Sequence, residues 1–351
     1  MSKTKLTIGI IGAGRIGKLH AENLVHHPKV NLKIVSDIQS ETLFDWAASI
    51  GVPNITSDYK EVLEDAEIDA VFICSPTNTH TSVIREAAKV KKHIFCEKPI
   101  SFDIEDSEKA LKVVHEEGVS LQVGFNRRFD HNFKKAFELV QEGSIGTPHI
   151  VKITSRDPSP PSEQYIKSSG GMFMDMSIHD FDMARYVCGS EVTEVFVHGV
   201  SLIDPVFSEN GDIDTAIISL KFANGAIGVI DNSRKAVYGY DQRLEVFGSK
   251  GSVTVNNDHP TTVEVSTETG VYRDKPKYFF LERYKESYID EINSFIQSIC
   301  HERPIICDGN DGLQAERIAR AARESFVTGH AVKLESLNKS ARPFSLGQEL
   351  M

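Results

Sequence analysis

Basic residues are in the minority: Lys and Arg number 39 against 50 Asp and Glu, a formal net charge of −11. An excess of negative charge repels phosphate backbones and anionic lipid surfaces, so nucleic-acid and membrane-surface partners are not expected. Long apolar runs are missing. The longest are short, such as Ala70-Val71-Phe72-Ile73-Cys74, far below the roughly 18 residues of a membrane span. Met1–Leu6 opens no apolar stretch with a small-residue cleavage site, so no signal peptide is expected. Cysteine is scarce as well: the five are odd in number, and none forms a C-x-x-C pair. A disulfide framework or structural zinc site is therefore not expected, and reduced thiols in a cytoplasmic protein are. No internal repeat is visible. What remains is an ordinary globular composition, 40% hydrophobic and 25% charged, over 351 residues. At roughly 150 residues per domain, that length predicts two domains.

The hydrophobic pattern changes character near residue 125. Before it, the apolar runs Leu6–Ile11, Leu32–Ser36, Ala70–Cys74, His93–Cys96 and Leu121–Phe125 alternate with helix-like stretches such as Ser82–Lys89 and Ile104–Glu117. Continuous apolar strands separated by helices predict a doubly wound parallel sheet covered on both faces. After it come a helix near 132–142, a strand at 149–155, a Pro- and Ser-rich loop at 157–171 and a helix near 172–188. Longer alternating strands then fill 192 to 266. Asn224-Gly225 and Gly248-Ser249-Lys250-Gly251 read as turns. Two helices, near 284–300 and 309–328, close the pattern, with Gly329 as a C-cap. The expected organisation is a dinucleotide-binding domain over 1–124, an α+β domain with an open, mostly antiparallel sheet over 125–337, and a polar tail over 338–351.

Gly12-Ala13-Gly14-Arg15-Ile16-Gly17 fits G-x-G-x-x-G. The string alone is weak, but it follows an apolar strand and opens a helix. In that setting Gly12 allows the tight turn, Gly14 admits a pyrophosphate to the backbone, and Gly17 lets helix and strand pack closely. Free N–H groups at the helix N-terminus then face the phosphates. Asp37 ends the second strand, 20 residues after Gly17. It can accept from both ribose hydroxyls and would repel a 2′-phosphate, and Ile38 follows it where an NADP enzyme often has Arg. NAD is the expected cofactor. Ser75-Pro76-Thr77-Asn78-Thr79-His80 and Glu97-Lys98-Pro99 follow the strands ending near Cys74 and Cys96, at the carboxyl edge where open parallel sheets bind ligands.

Lys98 therefore reads as a lysine at the mouth of the sheet, although an isolated surface lysine would look the same. Asp175 and His179 are spaced i, i+4, which puts them on one helix face, and Asp182 extends that face. Such a pair suits proton transfer. It also suits a divalent ion, or a solvated acidic helix turn. Gly170-Gly171 before it favours close approach to a ligand.

Gly12–Gly17, Asp37, Ser75–His80, Cys96-Glu97-Lys98-Pro99, Val123–Phe129 and Gly170-Gly171…Asp175…His179 together resemble the Gfo/Idh/MocA oxidoreductase family, in family order and over nearly the whole chain. Within it, Ser155-Arg156-Asp157-Pro158, His179–Arg185 and Tyr238–Asp241 look most like inositol 2-dehydrogenases. The resemblance implies a catalytic trio of Lys98, Asp175 and His179, and no metal. His179 would be the general base, Asp175 its partner, and Lys98 a donor to the developing alkoxide. It implies a cofactor set that includes Arg15, Ile16, Ile38, Ser75, Asn78, His80, Glu97 and Asn126 beside the glycines and Asp37. Arg127, Asp157, Met176 and Tyr240 are the implied substrate contacts. Asn126, Ser155 and Asp157 depart from the Met, His and Asn found in some myo-inositol enzymes, leaving ring stereochemistry open. A sugar or amino-sugar dehydrogenase shares the mechanism. A non-catalytic dinucleotide sensor shares the fold, but the retained trio argues against it. The family also implies pairing of the open sheet faces, usually into tetramers.

Overall fold

The structure, a computed structural model, describes residues 5–334; the expected polar tail at 338–351 lies outside them. Six strands form the first sheet: β1 (Leu6–Ile11), β2 (Val30–Ser36), β3 (Ile55–Thr56), β4 (Ala70–Ile73), β5 (His93–Cys96) and β6 (Leu121–Val123). Their order is β3-β2-β1-β4-β5-β6, parallel throughout. The order reverses beside β1, which makes the topological switch point of a Rossmann sheet. Every residue of β4 is buried, as expected for a strand covered on both faces. Helices Ile104–Glu117 and Tyr59–Glu64 begin on aspartates, Asp103 and Asp58, whose side chains accept from first-turn N–H groups. That is the usual chemistry of an N-cap.

The chain divides into two compact units, Met1–Asn126 with Glu286–Glu316, and Arg127–Lys285 with Arg317 onward. The segment Glu286–Glu316, read from the sequence as part of the second domain, thus returns to the first. Its helix Lys285–Cys300 supplies Ile292, Phe295 and Ile296 to the core formed by Ile8, Ile10, Phe72 and Phe95. Val123 N donates to Cys307 O at 2.9 Å, extending the β6 edge. Periodicity marks this segment as a helix but carries no information about which core its apolar face joins.

The second unit is built on β7 (Pro148–Arg156), β8 (Val192–Val200), β9 (Thr215–Phe222), β10 (Ile227–Ser233), β11 (Asp241–Gly248) and β12 (Gly251–Val255). A separate hairpin pairs β13 (Glu264–Thr267) with β14 (Gly270–Arg273), and β15 (Val332–Lys333) joins the main sheet beside β8. The sheet order is β12-β11-β7-β10-β9-β8-β15; all neighbours are antiparallel except β7 and β10. In β9 burial alternates strictly after the first residue, the signature of a sheet with one covered face. Both turns read from glycine pairs are present, with Gly225 at φ 90° and Gly248 paired to Gly251.

The helix expected at 172–188 is not uniform. Phe173–Ser177 is a π-helical turn, and the α-helix proper runs Ile178–Cys188. Asp175 sits on the wide turn and His179 on the first α-turn. The i, i+4 argument from a straight α-helix therefore does not describe their local backbone, and such bulges are frequent at functional sites.

Candidate active site

In the first unit the site is assembled at the carboxyl ends of β1, β2, β4 and β5. Gly12 has φ 96°, and a Cβ there would come within 2.4 Å of Ser75 N. Gly17 is equally constrained, since its Cβ would meet Gly12 O at 2.0 Å. Gly14 differs: nothing lies within 4 Å of its Cβ position, and no side chain caps the helix Arg15–Val25 that it begins. The result is an open cradle of unsatisfied helix N–H groups, matched to a pyrophosphate. Arg15 is exposed and Ile16 half-buried beside it.

Asp37 is tied to the same turn. Its Oδ2 accepts from Ala13 N at 2.7 Å and its Oδ1 from Gln39 N at 2.8 Å. The carboxylate is thus held in one orientation, with lone pairs left for ribose hydroxyls. Ile38, 88% exposed, brings no positive charge. Asn126, buried in the short helix after β6, has a side-chain N–H group with no hydrogen-bond partner. A buried donor left unmatched fits an acceptor supplied by a ligand. The cradle, the fixed acid and this donor all suit a dinucleotide.

His80, expected to touch the cofactor, uses its ring otherwise. Nδ1 lies 2.8 Å from Pro99 O and Nε2 2.8 Å from Ser75 O. It joins the two loops at the carboxyl ends of β4 and β5, and burial holds its pKa below the usual range. Ser75 Oγ bonds Thr79 Oγ1 at 2.6 Å, while Asn78 is exposed. Lys98 is half-buried on the second loop. The loop is anchored just beyond it by Glu316, whose Oε1 accepts from Ile100 N at 2.6 Å and Ser101 N at 3.1 Å. Ser107 Oγ donates to Glu316 Oε2 at 2.7 Å. Glu316 lies more than 200 residues downstream, and no local pattern points to it. Glu97 Oε1 accepts from His20 Nε2 at 2.7 Å.

In the second unit the arrangement centres on an arginine the sequence reading missed. Arg234, 4% exposed, donates from Nη1 to Asp157 Oδ2 at 3.2 Å and from Nη2 to Asp175 Oδ2 at 2.9 Å. Tyr165 OH donates to the other Asp175 oxygen at 2.8 Å. Burial raises the Asp157 carboxyl above its ordinary value, Arg234 opposing the shift and the Asp175 charge adding to it. His179 is half-buried on the adjoining helix turn. Asp182, expected on the same face, is instead fully buried and paired with Arg128 at 2.5 and 2.8 Å.

Beneath these groups lies a closed polar network. Arg127 donates to Asp180 at 2.5 Å and to Ser155 Oγ at 3.2 Å. Asn232 Nδ2 donates to the second Asp180 oxygen at 2.8 Å, and Ser177 Oγ donates to Asn232 Oδ1 at 2.6 Å. Ser155 also bonds Gln242, which accepts from Tyr284 OH at 3.2 Å. Arg127 and Ser155 are therefore held in the interior by protein partners. Met176 and Tyr240 are buried as well, Tyr240 packing edge-on against Tyr284 at 5.9 Å. Burial raises the Tyr240 phenol far above its usual range, so it stays a neutral donor.

Residues 6–125 match the family described as "Oxidoreductase family, NAD-binding Rossmann fold", and residues 133–254 match "GFO/IDH/MocA C-terminal domain". The chain is 58% identical to the uncharacterised oxidoreductase YrbE of Bacillus subtilis, over 96% of its own length and 99% of the relative. It is 48% identical to the myo-inositol 2-dehydrogenase of Thermotoga maritima, over 95% and 99%. Among solved structures it resembles a Lactobacillus casei scyllo-inositol dehydrogenase with bound NAD(H) and scyllo-inositol. That likeness has a TM-score of 0.88 at 32% identity, covering 94% of this chain and 99% of the other.

Proposed function

The chain belongs to the Gfo/Idh/MocA family of NAD-binding oxidoreductases, and from that premise we propose that it oxidises a ring secondary hydroxyl of myo- or scyllo-inositol to an inosose. The observation that carries the reading is full-length likeness to inositol dehydrogenases; Lys98, Asp175 and His179, which the sequence resemblance implies as the catalytic trio, are all present.

Gly12, Gly14 and Gly17 with the helix Arg15–Val25 would hold the pyrophosphate, Asp37 the adenosine ribose, and Glu97 and Asn126 the nicotinamide side. Bound NAD supplies the acceptor for the hydride leaving carbon. The protein's own work is on the proton and the charge. His179 takes the hydroxyl proton as the carbonyl forms. Asp175, held by hydrogen bonds from Arg234 and Tyr165, would stabilise the resulting imidazolium. Lys98 donates to the same oxygen and stabilises alkoxide character in the transition state. Asp157, which shares Arg234 with Asp175, would read a neighbouring ring hydroxyl. A site that hydrogen-bonds a hydroxyl rejects an epimer lacking it, because a buried partner is left unpaired.

Absorbance of reduced nicotinamide, followed with NAD and a panel of inositol isomers, pyranoses and amino sugars, tests this reading. Turnover of myo- or scyllo-inositol is expected to exceed that of every sugar. A preference for a pyranose or amino sugar would replace the substrate and keep the mechanism. The open face of the second sheet supports assembly into a tetramer. Ile150 lies directly between Ile227 and Phe247 there, and those two are about half exposed. Light scattering on the purified chain is expected to give four copies, and Phe247→Glu to lower that number.

A further inference from the structure

Glu291 is a buried acid that the mechanism above does not use. It sits on helix Lys285–Cys300, fully buried, and neither carboxyl oxygen has a hydrogen-bond partner. A bare carboxylate in such a place is strongly disfavoured. His20 Nε2 lies 4.0 Å from its Oε1. That nitrogen already donates to Glu97 at 2.7 Å, so two carboxyl groups face one N–H. The other His20 nitrogen, Nδ1, is buried and unpartnered. Phe72, Phe95 and Tyr288 stand edge-on around the imidazole at 5.6, 5.0 and 5.9 Å, which keeps the surroundings apolar.

Glu97 is confined on another side too. A Cβ on Gly124 would lie 3.0 Å from Glu97 Oε1, tight enough that a side chain there would shift the carboxylate by a few tenths of an ångström. Two carboxylates this close cannot both ionise cheaply. Glu97 has the hydrogen bond and is the more exposed of the two. It therefore takes the charge. Glu291 takes the proton: burial pushes it well above the usual carboxyl range, and the Glu97 charge adds to the shift.

We propose that His20 and Glu291 form a buried support that fixes the Glu97 carboxylate for cofactor binding, with Glu291 present as a neutral acid. They are positioning residues, acting on the cofactor through Glu97. The proposal rests on the reading of Glu97 as a cofactor residue.

The test measures NAD dissociation constants calorimetrically on the full chain without polyol, and infrared difference spectra at neutral pH. Glu97→Gln and His20→Leu are each expected to weaken NAD about tenfold, with His20→Gln, which keeps an N–H donor, recovering most of the loss. Glu291→Gln copies the neutral acid. It is expected to hold NAD affinity within about twofold and to delete the C=O band of a protonated carboxyl from the infrared spectrum. Unchanged affinity in Glu97→Gln would overturn the role of Glu97 itself. A weakened Glu97→Gln beside an unaffected His20→Leu would leave Glu97 standing and overturn the support. A variant that loses carboxylate stretches in place of the protonated-carboxyl C=O band would show Glu291 ionised and overturn its neutral role. So would a stoichiometric divalent cation lost in that variant, since it would make the three side chains metal ligands.

Discussion

The Arg234 guanidinium holds the Asp175 carboxylate by a 2.9 Å hydrogen bond from Nη2, in a site where both groups are nearly buried. The same guanidinium reaches Asp157, so one cation serves two acids that would otherwise repel. Arg234→Met is expected to lower stability by about 3–5 kcal/mol, the cost of leaving buried charge unpaired. Arg234→Lys keeps the charge without the two-pronged geometry. It should lose less stability and still lose about tenfold or more in kcat. Urea unfolding and steady-state kinetics on both variants separate the two effects. A kcat unchanged in Arg234→Lys would reduce Arg234 to a structural counter-ion.

Asp37 is expected to set the cofactor preference by charge. Its two backbone hydrogen bonds fix the carboxylate, and on the proposed reading its charge would repel a 2′-phosphate. Asp37→Ser is expected to narrow the NAD preference over NADP by about tenfold or more, about 1.4 kcal/mol. Comparing kcat/KM for both cofactors in wild type and variant checks it. A wild-type enzyme preferring NADP would contradict the assignment.

Lys98 and His179 should separate kinetically. Alkoxide charge develops in the transition state, so Lys98→Ala should lower kcat by roughly a hundredfold while NAD affinity stays within a few-fold. A histidine base must be neutral before it can accept a proton, and an ordinary imidazole titrates near about 6.5. Oxidation should therefore rise with pH through a limb near neutrality, and His179→Ala should remove both the limb and most of the rate. An active His179→Ala enzyme with the limb intact would make Lys98 the base.

Glu291 gives a stability prediction of definite sign. Its folded pKa lies well above the ordinary carboxyl value, because of burial and then the Glu97 charge. Between the unfolded and folded values the native state binds the extra proton, so its stability falls as pH rises. The slope approaches about 1.4 kcal/mol per pH unit for one group. Glu291→Gln does not ionise. Its melting temperature should gain on wild type as pH rises through the range above the ordinary carboxyl value. A constant difference would place the Glu291 titration outside that window.

Much of the first unit was legible because its signals are local. β1, β5 and the helix Ile104–Glu117 fall at the residues their apolar patterns mark. The glycine turn and Asp37 are separated by a spacing that a strand–helix–strand unit imposes. The surroundings of the candidate site residues in each unit were less legible, because Arg234, Tyr165, Glu316 and His20 act through contacts between distant positions. Arg234 looks like any charged residue after a strand until β7 and β10 are paired and Asp157 comes beside it. Asp182 shows the reverse failure: its helix position suggested a shared face with Asp175, and an ion pair with Arg128 decides otherwise. The π-helical turn at Phe173–Ser177 leaves no residue signature that period counting detects. Short β3 and the helix Phe44–Ile50 escaped for a simpler reason, since two and seven residues are too few to establish a period.

The return of Glu286–Glu316 into the first unit bears on how the protein is made. A ribosome releasing residues 1–126 has delivered six strands but not Ile292, Phe295 or Ile296, which complete their core, nor Glu316, which clamps the segment after Lys98. The usual order, in which an N-terminal domain folds before the rest is synthesised, is therefore closed to this chain. Its nucleotide-binding half must wait, incomplete, while the whole intervening half emerges. An expression clone ending near residue 126 should yield insoluble or partly folded material, whereas one that fuses 286–316 to its end by a flexible linker should fold and retain NAD.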